Sequence, residues 1–376
     1  MFLICCNTAC QKEFSEVLKE TDLRIEKEDS HHPMATEVQE IIESYVARGL
    51  PGISIVIDTP NGGILRSAAG YARLEDQTPM ETHHVFNSGS VAKTYHVTAA
   101  LMMMEEGILD IDKTIDTYLP DWVCDDLPNG GSATVKQLMN HTSGIPDFIE
   151  HIDHVLDYFH DLQRHFTQEE YLNYLCGTKA DFEPGTDDWY SNTNTVLLAL
   201  IMDEIAGNHA DVITEKIINK LGLTQTFYKN EMDYPAPAGG VNTYYDPKGN
   251  GEIINSTEIQ RNFDRVTIGH DGMLASANDF YLFLKALFES KLVTRTTLEA
   301  MVQYSLGLDI ELLRGDNSAK IGHDGGSFGA ANQVYFYNEI SSIMVICSNF
   351  GDFFDGPLSD LYMEMVKELE AALFAD

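Results

Sequence analysis

Ser90-Val-Ala-Lys93-Thr-Tyr-His-Val-Thr-Ala-Ala-Leu-Met-Met-Met-Glu105 opens with a serine and a lysine three residues apart and then runs apolar almost all round. The lack of a polar face predicts a buried helix over Val91 to Glu106, with Met102, Met103 and Met104 as core filler. Residues three apart share a helix face, so a Ser90 in the first turn carries its hydroxyl beside the Lys93 amine. A serine hydroxyl becomes an effective nucleophile when an adjacent base takes its proton, and a desolvated lysine can be that base. The helix start adds free N–H groups and a partial positive charge where an oxyanion would develop. The plainer reading is a capping serine with a solvated lysine, and a wholly apolar helix after Lys93 fits it less well. As a bare pattern Ser-x-x-Lys is expected about once by chance in a chain of this length, so it needs partners.

Tyr-x-Asn occurs at three places. Tyr171-Leu-Asn173 lies in a helical run, Glu169 to Cys176, and reads as helix surface; Tyr228-Lys-Asn230 lies in a turn-rich region. Tyr190-Ser-Asn192 follows the turn signal Phe182-Glu-Pro184-Gly185 and precedes the apolar helix Val196 to Ile205. A loop held between a turn and a buried helix is the better seat for a catalytic pair, which selects Tyr190 and Asn192. Gly-His-Asp-Gly occurs twice, at 269–272 and 322–325. The second copy continues through Gly326-Ser327-Phe328-Gly329 towards a strand at 332. A glycine-rich strand edge lets a substrate backbone come close and leaves an N–H for an oxyanion, which favours His323-Asp-Gly325.

Outward from these motifs, the spacing predicts a helix over Thr36 to Arg48, a hairpin from strand 52–57 through Asn61-Gly62-Gly63 to strand 64–71, strands at 332–337 and 343–348, and a closing amphipathic helix over Pro357 to Phe374. Strands at both ends with helices between them predict one sheet built from the two termini, over 35–80 and 300–376, with a mainly helical domain at 81–299 inserted into it. Residues 1–34 read as a signal remnant and polar tether. The run Met1-Phe-Leu-Ile-Cys-Cys-Asn-Thr-Ala-Cys10 is the basis for expecting an extracytoplasmic protein, periplasmic or lipid-anchored, with a cytoplasmic one as the alternative.

The chain has 376 residues, with 24 Lys plus Arg against 59 Asp plus Glu, a net charge of −35. Such a surface repels phosphate backbones and argues against nucleic-acid binding. No apolar run is long enough to span a bilayer. Cys124, Cys176 and Cys347 have no metal-ligand spacing and read as small core residues, and His83, His84, His151, His154 and His160 read as surface residues. No cofactor or metal is expected, and the protein is expected to be a monomer acting on a small-molecule or peptide substrate.

Ser90-x-x-Lys93, Tyr190-x-Asn192 and His323-x-Gly325, in that order, resemble the three motifs of the serine β-lactamase and penicillin-binding protein superfamily, in its class C-like branch with D-amino-acid peptidases and esterases. Phe86-Asn-Ser-Gly-Ser90, Gly107-Ile-Leu-Asp-Ile-Asp112, Leu138-Met-Asn-His141-Thr-Ser-Gly-Ile-Pro146 and Gly272-Met-Leu-Ala-Ser276 add to the resemblance, which covers about residues 36–370. It implies an α+β fold of the β-lactamase/transpeptidase type, an antiparallel sheet flanked by terminal helices plus the inserted helical domain. It also implies an acyl-enzyme on Ser90, with Lys93 and Tyr190 sharing the proton work. Asn192 then holds Lys93 or the substrate amide, His323 sits beside Tyr190, and the Ser90 and Gly326 N–H groups form the oxyanion hole. His141 reads as part of a structural loop. Where many relatives carry a lysine this chain has His323, at most partly charged near pH 7. The implied activity is therefore hydrolysis of a small ester or a D-amino-acid amide or peptide. A class C-like β-lactamase and an inert binding protein that keeps the fold are the alternatives.

Overall fold

The computed structural model describes residues 32–161, 164, 166–228, 239–266, 269–313, 318–351 and 356–375. Helix α1 (Ala35–Ala47) buries Val38, Ile41, Ile42 and Tyr45 at helical spacing. Strands β1 (Gly52–Thr59) and β2 (Gly63–Arg73) follow as an antiparallel hairpin, extended by the short β3 (Thr78–Pro79). The inserted part contains helices α2 (Val91–Glu105) and α3 (Asn192–Ala206). Helix α4 (Ala277–Phe288), strands β4 (Asp309–Leu312), β5 (Ala319–Ser327), β6 (Ala330–Tyr337) and β7 (Ser342–Ser348), and helix α5 (Pro357–Leu373) complete the framework. The seven strands form one antiparallel sheet in the order β3-β2-β1-β7-β6-β5-β4. Its centre is the pairing of β1 with β7, Val56 opposite Val345, so the two ends of the chain are stitched together.

The strands are apolar on both sides because both faces are covered. Ile53, Ile55, Ile57, Met344 and Ile346 face one core, shared with Val38 and Ile42 of α1 and Met365, Val366 and Leu369 of α5. The alternate residues Val56, Val345 and Cys347 face the other core, shared with Phe280, Phe283 and Leu284 of α4 and the helical part. Lys285 of α4 donates to Asp58 of β1 at 2.9 Å, fixing that helix on the sheet. By packing, α4 belongs with the sheet, although the sequence reading placed it in the helical domain.

Several further expectations change. Residues 1–31, with Cys5, Cys6 and Cys10, lie outside the described residues, as does Asn230. His32 and Met34, read as tether, are buried against the fold; the His32 ring meets Thr59 at 3.2 Å. Cys176 is exposed rather than core, while Cys347 is buried in β7. His84 and His154 are buried, not on the surface. Tyr171 is also buried, its ring stacked on Phe148 with centroids 4.2 Å apart. For the histidines and Tyr171, a polar tip suggests exposure in the sequence while the ring packs well in the fold.

If the outer helical layer is part of the cooperative fold, truncating its fully buried Leu369 to Ala removes contacts with both α1 and the sheet. The expected loss is about 2–5 kcal/mol, read as a lower midpoint in urea unfolding. Trp122→Ala, at an exposed position, is expected to stay within about 0.5 kcal/mol. Equal midpoints for the two variants would show that α5 unfolds separately.

Candidate active site

The lead-in to Ser90 is set by strand pairing. Val85–Asn87 pairs antiparallel with Leu274–Ser276, which also pairs with Thr226–Phe227. Ser88 N–H continues this ladder by donating to Met273 O at 2.8 Å. Gly89 then turns the chain with φ +53 into α2, and a Cβ there would stand 2.6 Å from the Gly326 nitrogen, so only glycine fits. On the other side, a Cβ on Gly325 would stand 2.0 Å from Ser88 O. The strand edge and the Ser88–Ser90 turn therefore touch backbone to backbone.

Ser90 begins α2 without capping it through its side chain, and Lys93 is only 2% exposed. Both facts go against the capping-and-solvated reading of the pair. Lys93 Nζ lies 2.9 Å from Ser90 Oγ and donates to His270 O at 2.9 Å. Burial pushes the Lys93 ammonium down to about 8, against the pull of Asp271, Asp147 and Asp309.

Tyr190 lies just before α3 and reaches across so that its hydroxyl donates to Ser90 Oγ at 2.7 Å. Although 39% of the residue is exposed, packing around its hydroxyl raises the phenol well above its usual value. The Tyr190 ring lies between His141, 4.5 Å away centroid to centroid, and His323 at 6.3 Å. His141 is pushed down to about 3, first by burial and then by the charges of Lys93 and His323. Its Nδ1 accepts the Ser191 N–H at 3.2 Å, and its carbonyl accepts the Trp189 N–H at 3.1 Å. The neutral ring thus braces the Tyr190 loop from behind.

Asn192 is the first residue of α3. Its side-chain amide donates to Asp147 Oδ2 at 2.7 Å instead of holding Lys93. Asp147 is buried, and a carboxylate out of water recruits such donors; the Ile149 N–H is another, at 3.2 Å. His323 on β5 is buried, with Nδ1 2.7 Å from Asp324 O and 3.4 Å from Asp309 Oδ2. β4 pairs only with residues 319–322 of β5, so among the described residues the stretch from His323 to Ser327 pairs on one side alone, with β6. Gly326 on this edge is exposed and faces open space.

The sequence reading missed one group. The set-aside copy Gly269-His-Asp-Gly272 lies directly behind Lys93: His270 supplies the carbonyl, and Asp271 is buried with its Oδ1 3.3 Å from Ser88 Oγ and 2.8 Å from the Gly272 N–H. The signal available was the antiparallel partner of the Ser90 lead-in, visible only once the strands at 85–87 and 274–276 are paired. Among the described residues no cluster of His, Cys, Asp or Glu could hold a metal ion, and no helix is long and apolar enough to cross a membrane.

Comparisons with known proteins fit this geometry. Penicillin-binding protein 4* of Bacillus subtilis (strain 168) is 26% identical over 315 residues, 78% of this chain and 67% of the relative. Among solved structures, D-amino acid amidase from Ochrobactrum anthropi SV3 superposes with a TM-score of 0.76 at 22% identity, covering 90% of this chain and 99% of that one. The octameric penicillin-binding protein homologue from Pyrococcus abyssi gives 0.73 at 22% identity, over 89% and 77%. These neighbours share the β-lactamase/transpeptidase-like fold. The Beta-lactamase family pattern matches residues 38–362, most of the chain, and the protein belongs to that family, within the serine β-lactamase and penicillin-binding protein superfamily.

Proposed function

We propose that the chain is a serine hydrolase that works through an acyl-enzyme on Ser90 and cleaves a small ester or a D-amino-acid amide or peptide. The observation that carries this reading is the convergence on one oxygen: Lys93 Nζ at 2.9 Å and Tyr190 OH at 2.7 Å from Ser90 Oγ. Neutral Lys93 keeps an N–H on the His270 carbonyl and presents its lone pair to the Ser90 proton. As Ser90 Oγ attacks the substrate carbonyl, that proton passes to Lys93. Tyr190, held as a phenol, hands its own proton to the leaving group and is reprotonated from Lys93. Water then attacks the acyl-enzyme by the reverse proton path and releases the acid. The Ser90 and Gly326 N–H groups receive the oxyanion, and Gly325 lets that edge come close enough. His141 and His323 border the two sides of Tyr190, and Asn192 is anchored on Asp147.

The substrate class follows from charge. Where a substrate carboxylate would be received, the side chain at the edge is His323, with Asp309 3.4 Å away. The Asp309 carboxylate repels an anionic substrate, which a β-lactam is, and tolerates a neutral ester or a cationic amino-acid amide. D-amino acid amidase and the D-stereospecific amidohydrolase from Streptomyces sp., the latter with a TM-score of 0.74 at 22% identity over 85% of this chain and 95% of that one, are named for the amide class.

Intact mass after brief exposure to a p-nitrophenyl acyl ester is expected to show an acyl adduct on the native chain and none on Ser90→Ala. An adduct on both places the nucleophile elsewhere. Lys93→Met is expected to slow acylation about 10²–10⁴-fold. Because the base is neutral Lys93, kcat/KM is expected to rise with pH through about 8 and level off above it; a profile already flat from pH 6 removes Lys93 as the base. In a substrate panel, esters and D-amino-acid amides are expected to exceed a chromogenic cephalosporin in kcat/KM by about tenfold or more, roughly 1.4 kcal/mol of transition-state preference. The reverse order would make the protein a β-lactamase.

A further inference from the structure

The pairing that sets the nucleophile lead-in also delivers a buried carboxylate to its back. With Asn87 opposite Leu274 and Ser88 N–H on Met273 O, the residues before 273 run alongside those after 88. Asp271 is thereby carried to the base of the Ser90–Lys93 pair. It is held there by the Ser88 hydroxyl at 3.3 Å and the Gly272 N–H at 2.8 Å. Its neighbour His270 presents the carbonyl that accepts the Lys93 N–H. Asp271 touches neither Ser90 Oγ nor the open edge at Gly326, and it is 3% exposed. A carboxylate buried so deeply without a structural need would be costly, and its one nearby opposite charge is an amine that acyl transfer uses in the neutral form.

We propose that Asp271 is a positioning residue that sets the pH at which Lys93 can accept the Ser90 proton, by holding the ammonium form of Lys93 in the resting enzyme. This rests on the reading of Lys93 as base. The groups facing Lys93 are Asp271 and His270 from the 269–272 loop, and Asp147 and His141 from the segment after Met139. Asp309 and His323 face it from β4 and β5, Tyr190 from the loop before α3, and His96 from its own helix. Burial pushes His270, His141 and His96 down, so these imidazoles stay neutral through the working range. Three carboxylates therefore remain to favour the charged amine, and Asp271 is the foremost of them. Burial also pushes the Asp271 carboxyl up, against the pull of Lys93, so the two groups oppose each other's desolvation.

Removing this negative charge leaves burial of Lys93 less opposed. The amine then deprotonates at lower pH, and the acid limb of kcat/KM moves down. The test is the full pH–rate profile of Asp271→Asn, Asp271→Ser and Asp271→Glu on the ester used for acylation, with thermal melts to identify any variant that does not fold. The acid limb is expected to shift down by about one pH unit or more in whichever neutral variant folds, and to stay near the native position in Asp271→Glu. A uniform loss of rate with the limb unmoved, or a limb that moves up, overturns the proposal and leaves Asp271 with a packing role. Failure of the parent reading would look different: the native chain itself would form no Ser90 adduct.

Discussion

Burial of the Lys93 amine beside the Ser90 hydroxyl is the constraint around which the rest of the structure is organised. A lysine taken out of water loses several kcal/mol of hydration if it stays charged. The chain therefore has to offer the amine a carbonyl, a hydroxyl and nearby carboxylates, and has to exclude water from four sides. The carbonyl comes from His270, the hydroxyl is Ser90 itself, and the carboxylates are Asp271, Asp147 and Asp309. They arrive on four segments, the helix start at Ser90, the 269–272 loop, the segment holding Asp147 and strand β4 with Asp309, so the site needs the helical part docked on the sheet.

The sheet meets that demand through its asymmetry. Its inner strands are stitched into a two-faced core, and β4 covers only the first half of β5. The second half, from His323 to Ser327, is left as a rim against the Ser88–Ser90 turn. Two absent side chains, at Gly89 and Gly325, set the closeness of this approach: a methyl on either would collide with backbone atoms and lift the strand from the nucleophile. A long exposed edge would invite pairing with another chain. Here its glycines and the neighbouring acidic residues make it a poor template for that.

Much of this was legible in the sequence because it rests on local pattern. The helix after Ser90 announces itself by lacking a polar face, the terminal strands by apolar residues on both faces, and the Tyr190 loop by the turn before it and the buried helix after it. What stayed illegible depends on pairing between distant segments. Nothing local distinguishes Asp271 from a loop aspartate. Only the ladder between 85–87 and 274–276 shows that it lies behind Lys93. Asn192 is similar: its spacing from Tyr190 is local, but its partner Asp147 comes from a segment 45 residues away. Buried rings such as Tyr171 and His154 were misjudged because a polar atom weighs heavily in sequence, while in the fold the ring decides.

Charge is where the sequence invites the wrong emphasis. A net charge of −35 suggests that the whole surface holds Lys93 in its ammonium form. Screening limits that influence: in physiological salt, exposed charges fade over about 8 Å. A carboxylate inside the protein acts through a medium of lower effective dielectric, where one charge a few ångströms away outweighs many at the surface. Lys93 therefore answers first to the buried Asp271 and Asp147, with the half-buried Asp309 after them. The surface selects against anions at a distance. On the proposed mechanism it is the buried carboxylates, acting at short range, that decide when the amine is free to take a proton.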